Sequence, residues 1–177
     1  MVKRPAKKHL QSIPIEAMQS VSVPCDDKFS EMEFIVEGDP VGKQRPRFNG
    51  RTRTTYTPRK TKHYETLIRN AYEDTGGSIL DGYISLSLDV YFAIPKSYTK
   101  GKRLACENNI NRPDKKPDID NILKIVLDGL NGVAYADDKQ VIEVRCRKFY
   151  SVSSGYLKVS VSEVKAYQGV IYGKGRS

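Results

Sequence analysis

The chain is poor in the residues that build disulfide frameworks and zinc sites. Its three cysteines, Cys25, Cys106 and Cys146, are far apart with no C-x-x-C pair, and only His9 and His63 could assist them. Neither a disulfide scaffold nor a thiolate–imidazole zinc site fits that set, so any metal is predicted to be held by oxygen. No stretch approaches the roughly 18 consecutive apolar residues of a membrane helix, and the basic N-terminus lacks the apolar core of a secretory signal. A cytoplasmic protein with no membrane partner is expected. Internal repeats are missing as well. Acidic residues are outnumbered: 21 Asp and Glu against 30 Lys and Arg leave a formal charge of +9, a balance that suits a polyanion such as nucleic acid or an anionic membrane surface.

The deficit of acids is sharpest between Lys43 and Lys62, where eight basic residues, interleaved with Phe48 and Tyr56, meet no acid at all. That stretch reads as a loop whose Lys43, Arg45, Arg47, Arg51 and Arg53 contact phosphates, while its two aromatics either stack on unpaired bases or, the favoured reading, anchor the loop on the core. Around it the pattern is regular. Residues 1–30 mix Lys and Arg with Pro and show no apolar period, a basic flexible arm. Met32, Phe34 and Val36 alternate with polar residues as a first strand, ended by Gly38-Asp39-Pro40. Thr57 is placed to cap a helix with Pro58 in its first turn, and Tyr64, Leu67, Ile68, Ala71 and Tyr72 follow at helical spacing up to Gly76-Gly77. Ile84 to Ile94 alternate strictly, a long strand with one buried face. Residues 96–116, polar, basic and broken by Gly101 and Pro113, read as a loop with little structure of its own and a candidate functional one. A second helix spans Asp118 to Leu130, and Asp137-Asp138 turns into two further strands, Val141 to Tyr150 and Tyr156 to Val164. The order β-α-β-α-β-β predicts one small α+β domain over 31–164, a mixed β-sheet with packed helices, followed by a basic tail, 165–177.

Chemistry concentrates around the second helix. Asp118 and Asp120 stand two residues apart at its start, and Asp138 follows after the helix has ended, so the three are predicted to converge from two ends of one unit. Such a cluster suits magnesium, a hard cation that takes carboxylate oxygens and completes its shell with water and substrate phosphate. Each acid also has an ordinary role open to it: Asp caps helices and fills turns, and Asp120, Lys124 and Asp128 are spaced as an i,i+4 charge ladder. A pure DNA-binding protein gains nothing from massing carboxylates beside its positive face, whereas metal-assisted phosphodiester cleavage accounts for both features. From the residues alone, a non-enzymatic DNA-binding or packaging protein and a nuclease acting on flaps, forks or RNA remain open.

The sequence Asp118-Ile119-Asp120-Asn121, Lys124, Asp128-Gly129-Leu130 and Asp137-Asp138-x-Gln140 resembles, in order and nearly in spacing, the signature of the RusA family of Holliday junction resolvases. Gly42-Lys43-Gln44-Arg45-Pro46-Arg47-Phe48 and Tyr56-Thr57-Pro58 through Tyr64-Glu65 resemble its phage and prophage branch. The likeness spans about residues 31–164. It implies a crossover junction endodeoxyribonuclease of DNA recombination and repair, located on the nucleoid when bound to DNA. The active site it implies is Asp118, Asp120 and Asp138 as ligands of Mg2+, with Mn2+ able to substitute, and Lys124 as a catalytic cation. It further implies a homodimer acting on branched DNA, and two-fold symmetry suits a four-way junction that needs two opposed nicks. The N-terminal arm and residues 96–116 look longer than in compact members of the family, so no contacts carry over to them.

Overall fold

The strictest apolar alternation in the sequence builds the middle of the sheet. In β4 (Tyr83–Ala93) the side chains of Ile84, Leu86, Leu88 and Val90 are all fully buried on one face, because successive strand residues point to opposite sides. β6 (Tyr156–Val164) pairs antiparallel with one edge of β4 and β5 (Val141–Ser151) parallel with the other, while β1 (Met32–Glu37) lies outside β6. The order β1-β6-β4-β5 is the expected mixed sheet. The computed structural model describes residues 31–164; the arm predicted for 1–30 and the tail predicted for 165–177 lie outside the described residues.

Two helices cover the apolar face. α1 (Arg59–Glu73) contributes Tyr64, Ile68 and Tyr72, and α3 (Ile119–Leu130) contributes Ile122, Ile125, Val126 and Leu130, to a core that includes Phe34, Val36, Leu157 and Val159. Full burial of each such side chain is worth about 1.5–3 kcal/mol. The parallel pairing of β4 and β5 requires a crossover, and α3 lies within it. Gly129 lets α1 and α3 approach closely: a Cβ there would stand 3.0 Å from Cβ of Ile68 and 3.1 Å from the Glu65 carbonyl oxygen. On the opposite face of the sheet, Arg147 grips Asp89 through two hydrogen bonds of 2.7 and 2.6 Å, and Tyr91 stacks between Phe149 and Tyr156.

Three local expectations are corrected. The basic stretch contains a two-stranded antiparallel hairpin, β2 (Arg47–Asn49) and β3 (Thr54–Tyr56). The Asn49 side-chain oxygen accepts hydrogen bonds from the Arg51 and Thr52 backbone N–H groups inside its turn, a local bond that needs no apolar pattern. Residues 96–116 contain a helix, α2 (Lys100–Glu107), capped by the Thr99 side chain and holding Cys106 as its one fully buried residue. A single buried anchor leaves no apolar period to read. Finally, α1 starts after Pro58 with no side-chain cap, so Thr57 does not fill that role. Among the described residues no helix is long and apolar enough to cross a membrane.

Candidate active site

The site is assembled where the basic loop meets the start of α3. Lys43 donates its backbone N–H to the Asn121 carbonyl oxygen at 2.8 Å. Gly42 permits that approach, since a Cβ on it would lie 2.7 Å from Cβ of Pro117 and 3.1 Å from Cβ of Asn121. The Lys116–Pro117 peptide bond is cis. Between the two segments opens a cleft of about 650 Å³, whose lining includes Lys43, Arg45, Lys60, Lys116, Asp118 and Asn121. Arg45, Lys60 and Lys116 offer cations for phosphate oxygens, and Asp118 adds a carboxylate of the kind that holds a divalent metal.

Asp118 occupies the N-cap position of α3 by backbone, yet its side chain makes no capping hydrogen bond. Its carboxylate is exposed and has no structural duty there. Asp120, in the first turn, accepts a 3.2 Å hydrogen bond from the Asn121 side chain and faces the Lys124 ammonium at 3.5 Å. That ion pair is a loose i,i+4 surface contact, with both side chains 62% exposed, worth about 0.3–0.5 kcal/mol. The predicted ladder is only half formed, because Asp128 turns elsewhere. It pairs with Lys43, which also donates to Glu65 of α1 at 2.7 Å. Lys43 therefore joins the loop to both helices through its ammonium, an internal use that competes with its expected role as a phosphate contact.

Asp138 stands apart from the first two acids. It opens a single 3₁₀ turn, Asp138–Gln140, whose capping box is formed by Asp137 and Gln140. Gln140 also donates to the Gly82 carbonyl oxygen, tying the turn to the start of β4. The Asp137 carboxyl is held below its usual range by hydrogen bonds from the Lys139 backbone and side chain. Asp137 thus does the structural work of the Asp-Asp pair, and Asp138 is left exposed. The Tyr135 hydroxyl donates to the Leu127 carbonyl oxygen, and its pKa is raised by burial and by the charges of Asp138 and Asp128. Asp138 accordingly lies toward the C-terminal end of α3, a helix of 12 residues and so about 18 Å long. Convergence of the three aspartates is not found within one chain: among the described residues, no group of three or more His, Cys, Asp or Glu side chains is placed to hold a metal ion. The donor chemistry nevertheless fits a hard divalent cation. Asp118 and Asp120 are exposed oxygen donors two residues apart, and one or two carboxylates with water and substrate phosphate are what magnesium commonly takes from a protein.

Arg45, Arg47, Arg51 and Arg53 are all exposed, and none forms an ion pair among the described residues. Phe48 and Tyr56 are 67% and 47% exposed, which overturns their expected role as anchors on the core. The cleft also holds two cations to which sequence reasoning gave no role of their own, Lys60 and Lys116. Their neighbourhood depends on the loop docking against α3, a contact that rests on one backbone hydrogen bond, one glycine and the Lys43–Asp128 pair.

Comparison with known proteins agrees with this arrangement. A protein of Bacillus subtilis (strain 168), the uncharacterized protein YqaN, is 35% identical over 140 residues, a match covering 76% of this chain and 98% of the relative. The endodeoxyribonuclease RusA family matches residues 37–162, a span that begins at the end of β1 and includes the cleft, α3 and the Asp137-Asp138 turn. The chain belongs to the RusA family of endodeoxyribonucleases, the Holliday junction resolvases.

Proposed function

We propose that the protein is a magnesium-dependent resolvase that acts as a homodimer and cuts four-way DNA junctions by paired, symmetric nicks, in the cytoplasm where recombining DNA lies. The observation that carries this reading is the cleft in which exposed cations and the unengaged Asp118 carboxylate share one cavity. Asp118, Asp120 and Asp138 would hold Mg2+, or Mn2+ in its place. When bound, the ion supplies Lewis-acid polarisation of the phosphate and lowers the pKa of water. Arg45, Arg47, Arg51 and Arg53 neutralise phosphates and set the register of the strand. Asn121 steadies the Asp120 carboxylate through its side chain. Lys124, held only loosely by Asp120, is free to turn toward charge developing on the scissile phosphate.

The separation of Asp138 from the other two acids gives the dimer a task. We assign each metal site to Asp118 and Asp120 of one chain and Asp138 of the partner subunit. Supporting this, β5 is an edge strand, and beside Asp138 it leaves Ile142 and Val144 52% and 46% exposed, apolar area that a second copy would cover.

The decisive experiment is cleavage of an immobile four-way junction by purified protein, with magnesium and with chelator. Cuts placed symmetrically in opposed strands and seen only with the metal are expected. Asp118→Asn, Asp120→Asn and Asp138→Asn should each abolish cutting while leaving junction affinity equal or higher, since a charge that repels the backbone is removed. An intact junction under all conditions, or full activity in all three variants, would refute the reading.

A further inference from the structure

Between Lys96 and Lys116 the chain carries seven basic residues against two acidic ones, and the structure holds this segment firmly without spending that charge. Cys106 is buried, anchoring α2. The Ile110 and Asn111 backbone N–H groups both donate to the Ala105 carbonyl oxygen, at 2.9 and 3.0 Å. The Tyr98 and Tyr150 hydroxyls lie 3.3 Å apart. Arg112 is the one of the seven cations that hydrogen-bonds to the sheet: its Nε donates to the Lys148 carbonyl oxygen at 2.6 Å on β5, and its guanidinium covers the Phe149 ring. None of the seven forms an ion pair with a carboxylate among the described residues.

Two of the cations, Lys102 and Lys115, meet at one tyrosine. Lys102 sits 3.9 Å over the Tyr98 ring, and the Tyr98 hydroxyl is held below its ordinary pKa by its hydrogen bond with Tyr150 and by the charges of Lys102 and Lys115. A helix face that is merely solvated commonly interleaves acids with its bases, and α2 offers only Glu107. Like charges fixed on a rigid support repel one another unless a polyanion lies against them. The segment runs into Lys116 and Pro117, and Lys116 lines the cleft beside Asp118, so the patch is continuous with the candidate active site.

We propose that the α2 segment is a second DNA-contacting surface, which grips the phosphates of a duplex arm leaving the cleft and acts independently of the β2–β3 hairpin. The proposal rests on the reading of the protein as a nuclease of branched DNA. Its test is a salt titration of junction affinity for Lys96→Gln/Lys100→Gln/Lys115→Gln. All three side chains are exposed and make no side-chain hydrogen bond or ion pair among the described residues, and the anchors named above stay in place. Three phosphate contacts contribute about 2.7 to the slope of log affinity against log salt. The affinity advantage of the parent over the variant should therefore shrink about 40-fold between 50 and 200 mM salt. At saturating DNA the variant should cut at the parental rate, and combination with Arg45→Ala/Arg47→Ala should lower the slope further. A parental slope in a variant that melts like the parent overturns the proposal, as would loss of binding to phosphatidylserine vesicles with junction binding intact. A parent that neither binds nor cuts junctions would instead refute the functional reading itself.

Discussion

Burial alone would pull the Lys43 ammonium below its ordinary pKa of 10.5, but hydrogen bonds to Asp128 and Glu65 outweigh it and hold the group above that value. A cation with a raised folded-state pKa contributes its full stability below about 10.5 and loses it only as the pH climbs through the folded value. The latch should therefore be indifferent to pH between 7 and 9. Removing it in Lys43→Met leaves two carboxylates facing one another, and about 1–2 kcal/mol of stability should be lost, between the cost of an exposed pair and that of a buried one. Because Lys43 is engaged internally, the salt slope of junction binding should not change, whereas Arg45→Ala and Arg47→Ala should each lower it by about 0.9. A reduced slope in Lys43→Met would mean that the ammonium leaves its carboxylates to hold phosphate. Lys124 presents the opposite case. Its exposed pair with Asp120 is worth at most about 0.5 kcal/mol, while loss of a preorganised charge at the transition state costs about 2.7–4 kcal/mol, a hundredfold to a thousandfold in rate. Lys124→Ala should melt like the parent and bind junctions, yet cut very slowly; parental cutting would leave Lys124 as a surface charge and nothing more.

Among the elements, α3 has two faces with different duties, and its glycine serves only one of them. Gly129→Ala places a methyl group against Ile68 and the α1 backbone, so overpacking should destabilise the protein by about 1–3 kcal/mol, measured by urea unfolding. The rate at saturating DNA should hold as long as the protein is folded. Gly42→Ala addresses the other face, because its methyl group meets Pro117 and Asn121, which line the cleft. There the helix pair is untouched, and the loss should appear in cleavage more than in the unfolding midpoint. If the two glycine variants lose stability and activity in equal proportion, loop docking and helix packing form a single cooperative unit. The 3₁₀ turn before β5 follows the same logic, with Asp137 and Gln140 bonding to each other and to the backbone so that Asp138 remains available.

For the whole molecule, the separation of Asp138 from Asp118 and Asp120 makes the dimer testable by mixing. Asp118→Asn and Asp138→Asn protein should each be inactive alone. If a metal site takes its acids from two chains, a mixed dimer carries one site with both lesions and one with none. Mixing the two variants, with exchange of subunits, should restore single nicks in the junction but not paired ones. If each chain builds its own site, every chain in the mixture carries a lesion and no cutting returns.

How much of this was legible in advance depended on the range of the interactions involved. The alternation of Ile84 to Val90 and the helical spacing of Tyr64, Ile68 and Tyr72 identify buried faces because burial imposes a period on the chain itself. The DxDN and Asp-Asp motifs likewise identify the candidate acids and the family by order and spacing alone. The sequence misses α2, since a helix held by one buried cysteine, with only its flanking residues bonded to an edge strand, leaves no period. It does not foresee the carboxylates that Lys43 meets or the exposure of Phe48 and Tyr56, because composition counts charges and rings without saying which carboxylate or surface each will meet. Whether three aspartates share one site depends on the length of α3 and the path of the chain after it. Those distances between residues remote in sequence are decided only when the helices pack on the sheet.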